Sequence, residues 1–152
     1  MIDYPLIGGC CCGAVRFVLR APPLSVQHCH CETCRKTTGT FFKSGAVVRK
    51  ADVQISGNEN VTGYRASPSF ERCFCRICGG HVYSYEDSVT VFMYLSVAAI
   101  DGGKHPGHPP GSESHIYVGS KAEWEVIGDG HPQHLKTSPD EIVTEQQRRE
   151  GL

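Results

Sequence analysis

The sequence predicts an all-β fold of mainly antiparallel strands stabilised by bound metal, and three observations carry that reading. Its apolar runs are short, β-branched or aromatic, and punctuated by turn formers. At 152 residues the chain suits one domain, yet its 39% of hydrophobic residues is lean for a core that must hold unaided. Nine cysteines in tight clusters offer the additional cross-linking.

Each element follows from local composition. Ala14 to Leu19 and Leu24 to His28 read as strands separated by Ala21-Pro22-Pro23, where proline cannot donate to a β-ladder. Phe41 to Val48, Val53 to Ser56 and Val61 to Arg65 follow, the last two parted by the turn former Gly57-Asn58. Ser69 to Phe74 begins after Ser67-Pro68, and His81 to Tyr85 and Thr90 to Ser96 come next. His115 to Val118 and Trp124 to Ile127 complete the set. Arg35 to Gly39 has room for one short helical turn. The stretch DGGKHPGHPPGSES, Asp101 to Ser114, reads as a long surface loop whose His105 and His108 face solvent. Ser138-Pro139-Asp140-Glu141 is a capping-box start for a polar C-terminal helix, which divides the chain into a domain over 1–135 and a tail over 136–152. Phe17 and Trp124 are expected in the core, and His115 as a buried, hydrogen-bonded histidine.

Composition excludes several functions. A formal charge of -1 provides no field for nucleic acid, and the dispersed basic residues with a single tryptophan make no stacking platform. The longest apolar stretch, Val89 to Ile100, is interrupted by Thr90 and Ser96 and falls short of the roughly 20 residues that span a bilayer. The opening MIDYPLIGG has an acidic Asp3 and no basic region ahead of an apolar run, so no secretory signal is read and a cytoplasmic protein is expected.

The cysteines read as metal ligands. They occur as Cys10-Cys11-Cys12, Cys29-x-Cys31-x-x-Cys34 and Cys73-x-Cys75-x-x-Cys78, an odd total whose close spacings rarely satisfy disulfide geometry. A CxxC turn instead brings two thiolates together with backbone N–H groups aimed at sulfur, and Gly79-Gly80 permits so tight a bend. Alternation along an extended segment lets Cys10 and Cys12 share an ion while Cys11 points away. Cys29 and Cys31 share a face opposite His28 and His30, and Cys73 lies on the same face as Cys75, a spare ligand. His81 is read as a donor to the neighbouring sulfurs.

The segments GGCCCGAVRF, HCHCETCRK, FCRICGGH and HIYVGSKAEW, spanning about residues 8 to 127, resemble the glutathione-dependent formaldehyde-activating (Gfa-like) enzymes. The resemblance implies an Mss4-like zinc fold with two Zn²⁺ per chain. By motif, Cys10, Cys12, Cys75 and Cys78 match a structural tetrathiolate site, and Cys29, Cys31 and Cys34 match a catalytic site. Cys11 and Cys73 belong to neither pattern.

Four thiolates leave an ion no vacant position, which suits a structural role; iron fits the same donors, but redox-inert zinc fits that role better. Three thiolates leave a position for a thiol, and Arg35 and Lys36 follow Cys34 directly, either as attractors of an anionic thiol or as a solvated basic pair. The resemblance implies a carbon-sulfur lyase joining glutathione, as thiol co-substrate, to formaldehyde as S-hydroxymethylglutathione, with a small thiol and an aldehyde as partners. The rival readings are a zinc-stabilised binding module, a redox enzyme similar to methionine sulfoxide reductase B, and a thiol or zinc store. Should Cys73 complete a fourth thiolate, the second site is closed and the binding module gains.

Overall fold

The computed structural model describes residues 1–137. In chain order its strands are β1 (Leu6–Gly9), β2 (Arg16–Leu19), β3 (Ser25–Cys29), β4 (Lys43–Arg49), β5 (Val53–Ser56), β6 (Val61–Ser67), β7 (Phe70–Cys75), β8 (His81–Glu86), β9 (Phe92–Ser96) and β10 (Glu113–Ile116). One α-helix, α1 (Glu32–Thr38), follows β3. The strands form a three-stranded sheet, β1-β2-β5, and a seven-stranded sheet, β10-β3-β4-β9-β8-β7-β6. All pairings are antiparallel except that of β10 with β3. The mainly antiparallel β class expected from the turn-punctuated runs is therefore the observed one, with a single short α-helix among the described residues.

The core lies between the sheets. Leu6, Phe17 and Leu19 of the small sheet pack with Val26, Ala46, Val48, Met93 and Leu95 of the large one. Alternation sends the intervening residues to the other face of the large sheet. There Cys29 stands opposite Lys43 across β3 and β4, and Arg72 opposite Ser84 across β7 and β8. One face of the sheet thus carries the apolar core, and the other carries Cys29, Lys43 and Arg72.

One strand was not expected, and two local expectations are corrected. β1 escapes a propensity reading because Gly8 and Gly9 weaken its β signal. Gly8 is needed there, since a side chain would run into Phe17 and the backbone of Ala99 and Ile100. Trp124 to Ile127 forms no strand: the Lys121 ammonium donates to the carbonyls of Ala122 and Glu125 and closes a local turn. Trp124, expected in the core, is 78% exposed, its ring edge-on to Phe41 at 4.5 Å. Phe17 is fully buried as expected. The C-terminal capping box and its helix lie outside the described residues. Among the described residues no helix is long and apolar enough to cross a membrane.

Candidate metal centres

The first centre joins two hairpins. Cys10 and Cys12 sit in the β1–β2 turn, Cys75 ends β7, and Cys78 lies in the β7–β8 turn. Their four sulfurs fall within 4.8 Å of one another. Cys10 to Cys12 and Cys12 to Cys75 are each 3.7 Å apart. Sulfurs bound at ~2.3 Å to a tetrahedral ion stand ~3.8 Å apart, so the donor set fits a tetrathiolate ion. Backbone N–H groups support the sulfurs, Val15 donating to Cys10 at 3.2 Å and Ile77 to Cys75 at 3.4 Å. The turn closes through Gly79, whose φ of 75° is open to glycine, and its N–H donates to the Cys75 carbonyl at 2.8 Å. A side chain on Gly80 would press on Cys10. The N–H groups of Cys12 and Gly80, with neighbouring thiols, pull the Cys78 thiol down to about 6. The Ala14 N–H favours the Cys12 thiolate too, but desolvation and the three adjacent sulfurs outweigh it and push Cys12 up to about 12. Sulfurs this crowded share protons that a cation would displace.

The second centre is built at the β3–α1 junction. Cys29 ends β3, Cys31 caps α1 and Cys34 lies in its first turn. Their sulfurs also fall within 4.8 Å of one another. The Cys34 N–H donates to Cys31 Sγ at 3.3 Å. The adjoining thiols of Cys29 and Cys34 pull the Cys31 thiol down to about 2 and are themselves pushed up. Among the described residues no fourth Cys, His, Asp or Glu joins this set. Cys73 stays out because Arg72 beside it reaches toward Cys34, so alternation turns Cys73 to the opposite face against its cross-strand partner Tyr83. Cys11 is exposed and outside both sets, as its parity implied.

The basic residues nearest in sequence lie on the outside of α1. Lys36, with its side chain 74% exposed, pairs with Glu32 at 3.1 Å, and Arg35 Nε donates to the Ser120 carbonyl at 3.2 Å. The cations beneath the sulfurs are instead Lys43 and Arg72, both buried, which sequence spacing does not associate with the cluster. Arg72 Nη2 approaches Cys34 Sγ at 3.8 Å. Lys43 Nζ donates to Ser84 Oγ at 2.7 Å. The Ser84 hydroxyl then donates to His81 Nε2 at 3.2 Å, and His81 Nδ1 to Ser96 Oγ at 2.7 Å. His81 therefore serves this serine chain rather than the first centre's sulfurs. Burial, with Lys43 and Arg72 nearby, pulls His81 down to about 3. Burial also pulls Lys43 down to about 8, opposed by the sulfurs of Cys34, Cys29 and Cys31.

A histidine cluster lies on the face of β3 opposite Cys29. Asp129 accepts from His115 Nε2 at 2.8 Å, which leaves His115 Nδ1 to accept from His30 Nε2 at 2.8 Å. His115 is buried and hydrogen-bonded, as expected. Glu113 takes His28 at 2.7 Å, His108 at 3.2 Å and His131 at 3.3 Å. His108 is thus folded into this cluster and is not the solvated loop residue its Gly- and Pro-rich surroundings suggested.

Two β-sheets with a four-sulfur set between their hairpin turns and a three-sulfur set on the far face of the larger sheet define a cysteine-rich β protein whose two sulfur sets could each hold a metal ion. Residues 5–120 match the model of the glutathione-dependent formaldehyde-activating enzyme family, and the chain belongs to that family. It is 30% identical over 156 aligned residues to a Halomonas elongata protein provisionally named a glutathione-dependent formaldehyde-activating enzyme, with 97% of each chain covered. An otherwise uncharacterised lyase of Schizosaccharomyces pombe is 40% identical over 78 residues, covering 50% of this chain and 54% of that protein. A crystal structure of a Rhodobacter sphaeroides protein superposes with a TM-score of 0.55 at 27% identity, over 66% of this chain and 92% of that one.

Proposed function

We propose that the protein is a carbon-sulfur lyase whose three-cysteine centre binds glutathione through zinc and presents its thiol to formaldehyde. The observation that carries this reading is the contrast between a four-sulfur set, complete in itself, and a three-sulfur set without a fourth donor. Zinc held by three thiolates keeps one position for an incoming ligand and lowers the pKa of a thiol that takes it. Cys29, Cys31 and Cys34 hold that ion, and the α1 cap keeps their sulfurs together. The glutathione sulfur adds to the carbonyl carbon of formaldehyde while the carbonyl oxygen takes a proton, yielding S-hydroxymethylglutathione. Arg35 and Lys36, on the outer turns of α1, attract the carboxylates of glutathione at long range. Cys10, Cys12, Cys75 and Cys78 hold a second zinc that keeps the sheets together. Residues 1–135 form the working domain, with 136–152 a tail, in a cytoplasmic protein acting on small molecules.

Metal analysis and a cobalt spectrum test this. Wild type is expected to carry two metals per chain and Cys34→Ser one. Cobalt-substituted wild type should change its thiolate-to-metal absorption when glutathione is added, and Cys34→Ser should lose that response while keeping its fold. A wild-type spectrum indifferent to glutathione overturns the reading.

A further inference from the structure

Lys43 and Arg72 are each 8% exposed, and among the described residues neither pairs with a carboxylate. Burying an unpaired charge is strongly unfavourable, and a fold that buries two side by side needs compensating negative charge. Both cations lie against one ring: Arg72 Cζ is 4.8 Å and Lys43 Nζ 5.9 Å from the Phe70 centroid. Arg72 Nε has no hydrogen-bond partner, while its Nη2 reaches Cys34 Sγ. Lys43 stands across the ladder from Cys29. The counter-charge these cations face is the three-cysteine centre.

We infer that Lys43 and Arg72 are positioning residues that form a dicationic floor beneath Cys29, Cys31 and Cys34 and select an anionic ligand for that centre. Resting on the proposed function, this names the substrate form, a thiolate in preference to a neutral thiol or thioether. Three thiolates around a divalent ion carry a net negative charge that would repel a further anion. Two fixed positive charges beneath reverse the sign, and their burial shields them from salt. Arg35 and Lys36 are open to solvent, so whatever attraction they provide fades as ionic strength rises.

The test uses the full chain loaded with cobalt, with azide and glutathione as separate probes read by visible absorption and calorimetry. Azide is an anion without thiol or peptide, so its affinity reports the charge of the centre alone. Lys43→Met and Arg72→Gln should keep two cobalt ions per chain and bind azide and glutathione about ten-fold more weakly or worse, at low and high salt alike. The conservative Lys43→Arg and Arg72→Lys should stay within about three-fold of wild type. The double variant Arg35→Ala, Lys36→Ala should lose affinity only at low salt. If Lys43→Met does not fold, Arg72→Gln decides: cobalt retained with wild-type azide affinity overturns the inference. So does a wild-type cobalt centre that ignores azide. A wild type that takes azide but not glutathione, with azide weakened in the variants, refutes the proposed thiol chemistry and upholds the charged floor. Equal glutathione affinity in wild type and both neutral variants refutes the floor and leaves the thiol chemistry standing.

Discussion

Single residues differ sharply in what they carry. Cys75 is fully buried at the end of β7 and is the sulfur through which the large sheet grips the β1–β2 turn. Structural zinc contributes on the order of 10 kcal/mol in small domains, comparable to a whole folding margin. Cys75→Ser is therefore expected to lose one metal per chain and its cooperative thermal transition by circular dichroism. Cys11→Ser, at an exposed position outside both sets, should melt with wild type. His81 provides a separate, pH-dependent contribution. The unfolded chain takes up its proton near 6.5, whereas the folded protein withholds it until about 3. Stability from His81 is full above 6.5 and is lost as pH falls toward 3. Thermal midpoints measured across that window should fall more steeply for wild type than for His81→Gln; parallel curves would reject this assignment.

At the scale of elements, α1 is short yet sets the second centre. Its first turn holds Cys34, its cap is Cys31, and it ends at Gly39, where φ is 67° and the N–H donates to the Arg35 carbonyl. Nothing lies within 4 Å of where a Gly39 side chain would start, so Gly39→Ala strains only the backbone. The cost is ~1 kcal/mol, or a midpoint lower by ~3 °C. Because the strain falls on the helix that carries Cys34, the metal affinity of the three-cysteine centre should weaken in chelator competition while the four-cysteine centre keeps its own. The β7–β8 turn makes the complementary case, with Gly79 supplying a left-handed bend and Gly80 leaving room for Cys10.

For the whole molecule, the two sulfur sets differ in how they sit on the sheets. The first spans them, from the β1–β2 turn to the β7–β8 turn, and the second lies on the face of the large sheet that is turned away from the core. Stripping metal with a strong chelator should proceed in two stages. Release of the first equivalent, from the three-sulfur centre, should leave far-ultraviolet circular dichroism unchanged. Release of the second should coincide with loss of tertiary signal, since the lean core then lacks its staple. Simultaneous loss of both metals and fold would show that the centres are not independent.

Local chemistry settled much of this before any tertiary contact was known. CxxC spacing, glycine after Cys78 and the parity of Cys10, Cys11 and Cys12 depend on a few neighbouring residues, and the Cys10–Cys12, Cys29–Cys31–Cys34 and Cys75–Cys78 groupings follow them; that the first and last share one set was implied only by the family motif. Most strands were legible for the same reason, because turn formers and alternating burial act over a handful of positions. Where glycine dilutes the pattern, as in β1, or where a short apolar run meets no partner strand, as at Trp124 to Ile127, local reading misled. Pairing of residues distant in the chain was decided only by the tertiary structure. A strand's side chains alternate faces, but which face meets which partner depends on sheet order; that order sets Arg72 and Lys43 under Cys34 and turns Cys73 away. The same long-range packing brings His30 to His115 and Glu113 to three histidines, contacts between residues up to 85 positions apart that no local spacing encodes.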